Sequence, residues 1–343
     1  MRYTFAPLEG VTGYVYRNLH RRWFGGVERY YMPFISVGQS RSFSPREWQD
    51  FCPEHNESGD LVPQLLGKDA EGFIWAAREL RALGYREINF NLGCPSGTVT
   101  AKGKGAGFLT RPAELEAFLD RIFSALEGPI SIKTRLGYAA PEEFSALLEL
   151  YNRYPIAELI IHPRVRQDFY RCAVRMEAFE AALRHSRNPV GYNGDLMSLS
   201  DCAAVEARFP SVTSLMLGRG LIADPAFLRP EKRTRERLQA FDEALYEGYR
   251  TMFGNDRNAI MRMKEVWYYH IHLFEGGEKL AKRLRRTTDR VEYCAAVQEI
   301  YRTLPLRVYL LPIYPKPSEY SIRQFLLMLW AKPPVIPAET NSP

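Results

Sequence analysis

Short apolar segments, each followed by polar residues, recur at a nearly regular spacing through the first two thirds of the chain. Their length and their content of β-branched and aromatic residues are typical of buried strands. We predict eight strands, which span residues 3–8, 29–35, 61–66, 87–91, 130–134, 158–162, 189–193 and 213–217. Between most of them the apolar positions follow a helical period, as they do at residues 70–83, 112–126, 141–154 and 176–185.

This alternation of strands and helices indicates an α/β protein, and eight repeats favour a closed (β/α)8 or TIM barrel. A doubly wound open sheet is the alternative, but eight strands in about 220 residues fit barrel closure better. In a TIM barrel the active site lies at the carboxyl ends of the strands. Polar or reactive groups stand at or just past six predicted strand ends: Gln64, Cys94, Lys133, His162, Asn193 and the pair Gly218 and Arg219.

The pattern divides the chain into three parts. We assign residues 1–228 to the barrel and residues 239–330 to a smaller helical domain, with a last helix at residues 322–330. Residues 331–343 are expected to form a flexible tail.

Composition narrows the class of protein. The chain has 343 residues, of which 46% are hydrophobic and 25% charged, as in ordinary globular proteins. No apolar run approaches the roughly 18 residues of a membrane span, and no signal peptide is apparent, so we expect a cytoplasmic protein. The five cysteines lie far apart without a C-x-x-C pair, which predicts neither a disulfide framework nor a zinc site.

Positive charge is concentrated in the last third of the chain. Residues 231–343 hold 19 Lys and Arg against 14 Asp and Glu, whereas residues 1–230 hold 27 against 26. This asymmetry suggests a polyanionic partner that contacts the C-terminal part. An ordinary solvated surface is the alternative explanation.

One turn carries candidate chemistry. Cys94 lies between Gly93 and Pro95, after a predicted strand and before a glycine-rich loop at residues 102–107. A cysteine at the mouth of a barrel can contact a ligand and exchange a proton with it, although most cysteines are inert and buried. The loop lacks the spacing of a dinucleotide fingerprint, and we interpret it as a mobile lid.

Residues 91–95 (Asn-Leu-Gly-Cys-Pro) and 102–109 resemble the flavin-dependent tRNA-dihydrouridine synthases. Further motifs match that family in order and spacing at residues 6–12, 64–67, 132–137, 193–195 and 216–220. The resemblance covers about residues 5–225 and continues weakly into the helical part.

Two positions depart from the family pattern. Pro163 follows His162 where the family usually has glycine, and a proline removes a backbone N–H and fixes φ, which puts the local loop geometry in doubt. Tyr192 precedes Asn193 where a small residue is common, and it could crowd the pocket or pack on the flavin.

The resemblance implies FMN as cofactor. Gly218 and Arg219 would bind its phosphate, while Gln64 and Lys133 would contact the isoalloxazine edge and tune its potential. The full implied set is Pro7, Leu8, Glu9, Gln64, Lys133, His162, Asn193, Gly194, Asp195, Gly218 and Arg219.

The implied reaction is reduction of the uracil 5,6 double bond in tRNA. Reduced FMN would give a hydride to C6, Cys94 would protonate C5 from the opposite face, and NADPH would reduce the flavin again. Asn91 would orient the uracil edge. A thiol with an ordinary pKa of about 8.5 is protonated at neutral pH and suits an acid.

The target base must leave its stack, which makes an RNA loop the natural target. The resemblance implies tRNA as the partner. We expect a monomer with no bound metal and no obligate protein partner. The predicted RNA contacts are Arg164, Arg166 and Tyr170 at the pocket rim, and Arg262, Lys264, Lys282, Arg283, Arg285 and Arg286 in the helical part.

Two other functions stay open at this stage. One is an FMN enzyme that acts on a free pyrimidine, as dihydroorotate dehydrogenases do. The other is a catalytically inactive RNA-binding protein.

Overall fold

Ten short strands form one sheet in the computed structural model, which describes residues 1–57, 59–308 and 310. Every pair of neighbouring strands is parallel. Each predicted segment contains a strand. The strands are β1 (Arg2–Phe5), β2 (Arg29–Tyr31), β3 (Ile35–Ser36), β4 (Asp60–Val62), β5 (Gln64–Leu66), β6 (Ile88–Leu92), β7 (Ile130–Arg135), β8 (Leu159–His162), β9 (Val190–Tyr192) and β10 (Ser214–Leu217).

Helices follow most of the strands and continue after the last one. In the described residues none of them is long and apolar enough to cross a membrane. They are α1 (Tyr14–Trp23), α2 (Pro45–Phe51), α3 (Ala70–Ala82), α4 (Gly97–Thr100), α5 (Pro112–Ala125), α6 (Glu143–Tyr151), α7 (Met176–His185), α8 (Leu199–Arg208), α9 (Arg219–Ala223), α10 (Arg235–Phe253), α11 (Asp256–His270), α12 (Glu278–Arg286) and α13 (Arg290–Thr303).

Prolines explain why eight predicted strands become ten. Pro33 separates β2 from β3, and Pro63 separates β4 from β5, because a proline has no N–H to donate to the ladder. The sheet continues on both sides of the gaps, because β2 pairs with β4 and β3 pairs with β5. With β1 joining β10 to β2, the eight extended segments close into the predicted (β/α)8 barrel.

Alternation along β6 determines which side chains enter the barrel. Phe90 points outward, where its ring packs 4.9 Å from Phe118 of α5 and 5.3 Å from Phe73 of α3. Successive side chains on a strand point to opposite faces, so Asn89 and Asn91 point inward. The barrel interior is therefore polar beside β6, and a site forms at the carboxyl end of this strand.

The C-terminal helices pack directly on the barrel. Phe241 of α10 contacts Tyr16 and Phe24 of the α1 region edge to face, with ring centroids 5.8 and 5.1 Å apart. These residues belong to one continuous apolar core. The helices begin at Arg235, four residues before the predicted start. The expected helix at residues 322–330 and the tail at residues 331–343 lie outside the described residues, and the division into domains stays a prediction.

Candidate active site

A chain of side-chain amides crosses the barrel interior and ends at the cysteine turn. Asn89 Nδ2 donates to Ser131 Oγ (2.9 Å), and Gln64 Nε2 donates to Asn89 Oδ1 (2.7 Å). Asn91 Nδ2 then donates to Gln64 Oε1 (2.6 Å). Because these residues are buried and bonded to one another, the amide of Asn91 is held in one orientation.

Asn91 in turn shapes the loop that carries Cys94. Its Oδ1 accepts the backbone N–H of Gly93 (3.1 Å) and of Cys94 (2.9 Å). Burial raises the pKa of the Cys94 thiol, so the thiol is protonated at neutral pH. The turn therefore holds a protonated thiol in a fixed position.

The glycine-rich loop after Cys94 is packed against it rather than set apart as a lid. Ala106 N–H donates to the Cys94 carbonyl (3.1 Å), and Gly105–Thr110 forms a short 3-10 helix whose first five residues are buried. A Cβ on Gly105 would stand 3.0 Å from Cys94 Cβ, and Gly105 has φ of +56°. Glycine is needed here because the backbone approaches Cys94 closely.

Two cations project from β7 into the site. Burial, and to a lesser extent the neighbouring Arg135 charge, lowers the pKa of Lys133 to about 7. Arg135 is itself buried: its Nε donates to the Gly93 carbonyl (2.9 Å), and its Nη1 donates to the carbonyls of Val165 (3.0 Å) and Phe169 (2.9 Å). Sequence reasoning assigned no role to Arg135, although the period of two along a strand gives it the same face as Lys133.

Arg164 lies inside the protein, so the prediction that it holds RNA at the rim is wrong. Its side chain is fully buried and pairs with both carboxylate oxygens of Asp195. Its Nε donates to the Cys172 carbonyl (2.7 Å), and its Nη1 donates to His162 Nε2 (3.0 Å). A buried guanidinium persists only with such partners, and here it positions His162 and Asp195.

A small cavity of about 70 Å³ lies at the residues that the resemblance assigns to phosphate binding. Asn193, Gly194, Asp195, Gly218 and Arg219 all line it, so the structure brings these residues together. Arg219 also donates to Asp195 Oδ1 (2.7 Å). The Asp195 carboxylate is therefore bonded to two guanidinium groups, those of Arg164 and Arg219.

The electrostatic field of the site is positive. The pKa of His162 falls well below its usual value, first because the ring is buried and then because of the charges on Arg135, Lys133, Arg164 and Arg219. His162 is therefore neutral. A site with this excess of cations fits an anionic ligand.

Both departures from the family pattern are accommodated. Arg164 N–H donates to the His162 carbonyl (2.7 Å), so Pro163 occupies the centre of a three-residue turn in which its own N–H is not needed. Tyr192 is buried against Phe179 of α7, with ring centroids 4.9 Å apart, and lines neither site cavity. It neither crowds the pocket nor is available to a ring bound there.

The main cavity, of about 350 Å³, lies between the cysteine turn and the cations. This volume is within the range of small-molecule sites. Glu265 and Tyr269 of α11 form part of its wall, and sequence reasoning missed both. The predicted site residues that also line this cavity are Pro7, Leu8, Glu9, Gln64, Asn91, Cys94, Lys133, His162, Arg166, Tyr170 and Arg219.

Tyr170 and Arg166 lie at this cavity, as predicted for rim residues. The Tyr170 ring packs on His162 (centroids 5.6 Å apart), with the guanidinium carbons of Arg219 and Arg135 at 4.6 and 5.2 Å from its centre. Arg166 Nη2 donates to Thr100 Oγ1 (3.2 Å).

The predicted RNA contacts of the C-terminal helices lie in two different places. Arg262 of α11 lines a neighbouring cavity of about 190 Å³ together with Glu9, which is shared with the main cavity. Its Nη1 would be 2.8 Å from a Cβ on Gly10. Arg262 therefore lies close to the loop after β1.

Lys264 has a structural role instead of a free surface position. Its Nζ donates to the Thr287 carbonyl (2.5 Å) at the end of α12, and burial lowers its pKa. Lys264 is therefore a poor candidate for phosphate contact. Lys282, Arg283, Arg285 and Arg286 are exposed on α12, with Arg283 paired to Glu299.

Fold and site together define a class: a (β/α)8-barrel protein with an electropositive pocket at the carboxyl ends of its strands, where barrels of this type hold their active sites. A family model described as dihydrouridine synthase (Dus) matches residues 4–304. The chain therefore belongs to the dihydrouridine synthase family.

Curated relatives agree with this assignment. The chain is 25% identical over 314 residues to a protein of Staphylococcus aureus strain Mu50 named probable tRNA-dihydrouridine synthase, covering 87% of this chain and 92% of that one. It is 28% identical over 231 residues to tRNA-dihydrouridine synthase B of Shewanella oneidensis strain MR-1, covering 65% and 69% of the two chains.

Among solved structures, histamine dehydrogenase from Rhizobium sp. 4-9 has a similar fold. The TM-score is 0.51 at 11% identity, and the match covers 77% of this chain. The chain spans about half of that protein (51%), and the likeness concerns the fold alone.

Replacing Lys133 with methionine is expected to change how stability depends on pH. The folded-state pKa of about 7 lies below the value of about 10.4 in an unfolded chain. Between these values the unfolded state binds more protons, so this lysine makes wild-type stability rise with pH. The free energy of unfolding of the wild type, relative to Lys133→Met, should increase from pH 7 to pH 10 in denaturant titrations. A difference that is constant with pH would contradict the assigned burial.

Proposed function

We propose that this protein reduces uridine to 5,6-dihydrouridine in tRNA, with FMN as bound cofactor and NADPH as reductant. One observation carries the proposal: a protonated, rigidly held Cys94 lines the same cavity as Lys133 and His162. Membership of the dihydrouridine synthase family supports it.

The residues present fit FMN. Its phosphate requires positive charge and close backbone approach, and Arg219, Gly218 and residues 193–195 offer both at the smaller cavity. The two cavities share Pro7, Leu8, Lys133, His162, Tyr170 and Arg219, so one extended ligand can occupy both. Reduced by NADPH, bound FMN would supply a hydride to C6 of the uracil ring.

The side chains would supply the remaining steps. Cys94 Sγ–H would form the new C–H bond at C5 and leave a thiolate, which regains a proton from water. Lys133 and Arg135 would stabilise negative charge near the ring, because both cations are buried beside Cys94. Asn91 would hold the cysteine turn and present its second N–H to the uracil edge.

Reduction of a free pyrimidine is the rival function. Two observations favour RNA over it: α11 forms a wall of the catalytic cavity, and α12 beyond it exposes four cations. An enzyme for a small substrate has no need of such a basic appendage. An inactive RNA-binding protein, the third reading, would have no need of a protonated thiol held over a cationic pocket.

The proposal is tested by mass-spectrometric mapping of dihydrouridine in RNA from cells with and without this gene. We expect deletion to remove dihydrouridine from at least one tRNA position, and the wild-type gene on a plasmid to restore it. An unchanged dihydrouridine map in tRNA would contradict the proposal.

A further inference from the structure

Four basic side chains gather at the carboxyl ends of β5 and β6, although the barrel as a whole carries almost no net charge. Lys68 follows β5, and Lys102, Lys104 and Arg111 belong to the segment between Cys94 and α5. Lys68, Lys102 and Arg111 are exposed. We call these four residues the barrel basic patch.

Geometry brings the patch together over Gly103. Gly103 has φ of +66°, and a Cβ there would lie 3.5 Å from Arg111 Cζ and 3.7 Å from Lys68 Nζ. Lys104 Nζ donates to the Val37 carbonyl (2.9 Å) and to Ser36 Oγ (3.3 Å), which anchors the segment to β3. Burial lowers the pKa of Lys104, and the like charges of Lys102 and Lys68 lower it further.

The nearby carboxylates are largely occupied elsewhere. Asp69 accepts the Gly72 N–H at the start of α3, and Glu47 accepts N–H groups of Ser36 and Ser44 around α2. Glu114 pairs with Arg111. In the part of the chain that the structure describes, neither Lys68 nor Lys102 forms an ion pair with a carboxylate within 4.0 Å.

The patch is continuous with the catalytic turn. Gly105, two residues after Gly103, packs on Cys94, and Ala106 bonds to the Cys94 carbonyl. Ser36 bonds to both Lys104 and Glu47 of α2, and this helix carries Trp48, which is 45% exposed. Surfaces that bind single-stranded nucleic acid typically combine exposed cations with aromatic side chains.

We propose that the barrel basic patch binds phosphates of the RNA strand next to the uridine held at Cys94, with Lys68 and Lys102 as the principal contacts. This inference rests on the proposed function. It adds a barrel contact opposite to the helical one, so that RNA is held on both sides of the pocket. Lys104 acts as an anchor of the segment rather than as a contact.

The test measures the affinity of the FMN-loaded enzyme for unmodified tRNA at 50 and 200 mM salt. The test variant is Lys68→Gln with Lys102→Gln. Its matched control is Arg86→Gln with Arg187→Gln, which removes the same charge from exposed residues that precede β6 and β9, at the opposite end of the barrel. Lys68→Arg with Lys102→Arg keeps the charge, and unfolding midpoints check that every variant folds.

Each lost phosphate contact reduces the slope of log affinity against log salt by about 1. The affinity of the wild type should fall between the two salt concentrations. For the Gln pair the factor of this fall should be about tenfold smaller, and binding at 50 mM salt should be weaker than that of the wild type. The arginine pair and the Arg86 and Arg187 control should match the wild type. If the Gln pair matches the wild type, or the control is equally weakened, the patch is not a specific contact. A wild type that makes no dihydrouridine would overturn the proposed function instead.

Discussion

Cys94→Ala is expected to slow dihydrouridine formation by orders of magnitude while flavin binding and flavin reduction by NADPH persist. In the proposed reaction the thiol is the proton donor, and burial keeps it protonated by raising its pKa. Loss of a positioned general acid lowers rates by about 10²–10⁴-fold. Single-turnover reduction of tRNA by the reduced enzyme measures this step apart from flavin reduction.

Cys294→Ala is the matched control, because Cys294 is a free, partly exposed cysteine on α13 that lines neither site cavity. It should retain the wild-type rate. Full product formation by Cys94→Ala would exclude Cys94 as the acid. Loss of flavin from that variant would instead mean that the turn mainly supports the cofactor site.

Arg164→Met is expected to be the most destabilising single substitution in the site. The guanidinium is completely buried, and its removal leaves Asp195 and the Cys172 carbonyl short of donors. Breaking a buried ion pair in this way costs about 3 kcal/mol or more. Flavin affinity should fall as well, because Asp195 lines the smaller cavity, which we propose holds the flavin phosphate. Chemical denaturation and flavin titration measure the two effects.

Arg175→Met provides the comparison within the same loop. Arg175 pairs with Asp168, but its side chain is 33% exposed. Ion pairs near the surface contribute about 0–1 kcal/mol, so this variant should stay close to the wild type in stability. Equal losses in the two variants would contradict the structural role assigned to Arg164.

The barrel could be predicted because its signal is local and repeated. Each apolar segment sits between polar turns, and each lies in the structure where the pattern indicated. Pro33 and Pro63 break two strands into shorter pieces, yet parallel pairing resumes beyond the breaks, with the register shifted by one residue: Tyr31 pairs with Val62, and Ile35 pairs with Leu65. The order of the strands is therefore the same whether eight or ten are counted. The candidate residues lie together at one end of the barrel because they follow the carboxyl ends of parallel strands.

The site was only partly predictable, for a physical reason. Arg164 looks like any basic residue of a loop, and its burial depends on Asp195, 31 residues later. The wall contributed by α11 depends on how a distant helix packs, which Glu265 and Tyr269 do not signal in the sequence. The sequence did not reveal the barrel basic patch, because the net charge of the barrel also counts acidic residues that lie far from the patch or that cap helices.

The most direct test of the whole account mixes reduced, FMN-loaded enzyme with an unmodified tRNA transcript in the absence of oxygen. Flavin oxidation is followed by absorbance, and the tRNA is then digested and analysed by mass spectrometry. The account predicts that the flavin is oxidised as one uridine gains two mass units. Flavin that remains reduced in the presence of tRNA, but is oxidised by a free pyrimidine, would contradict it.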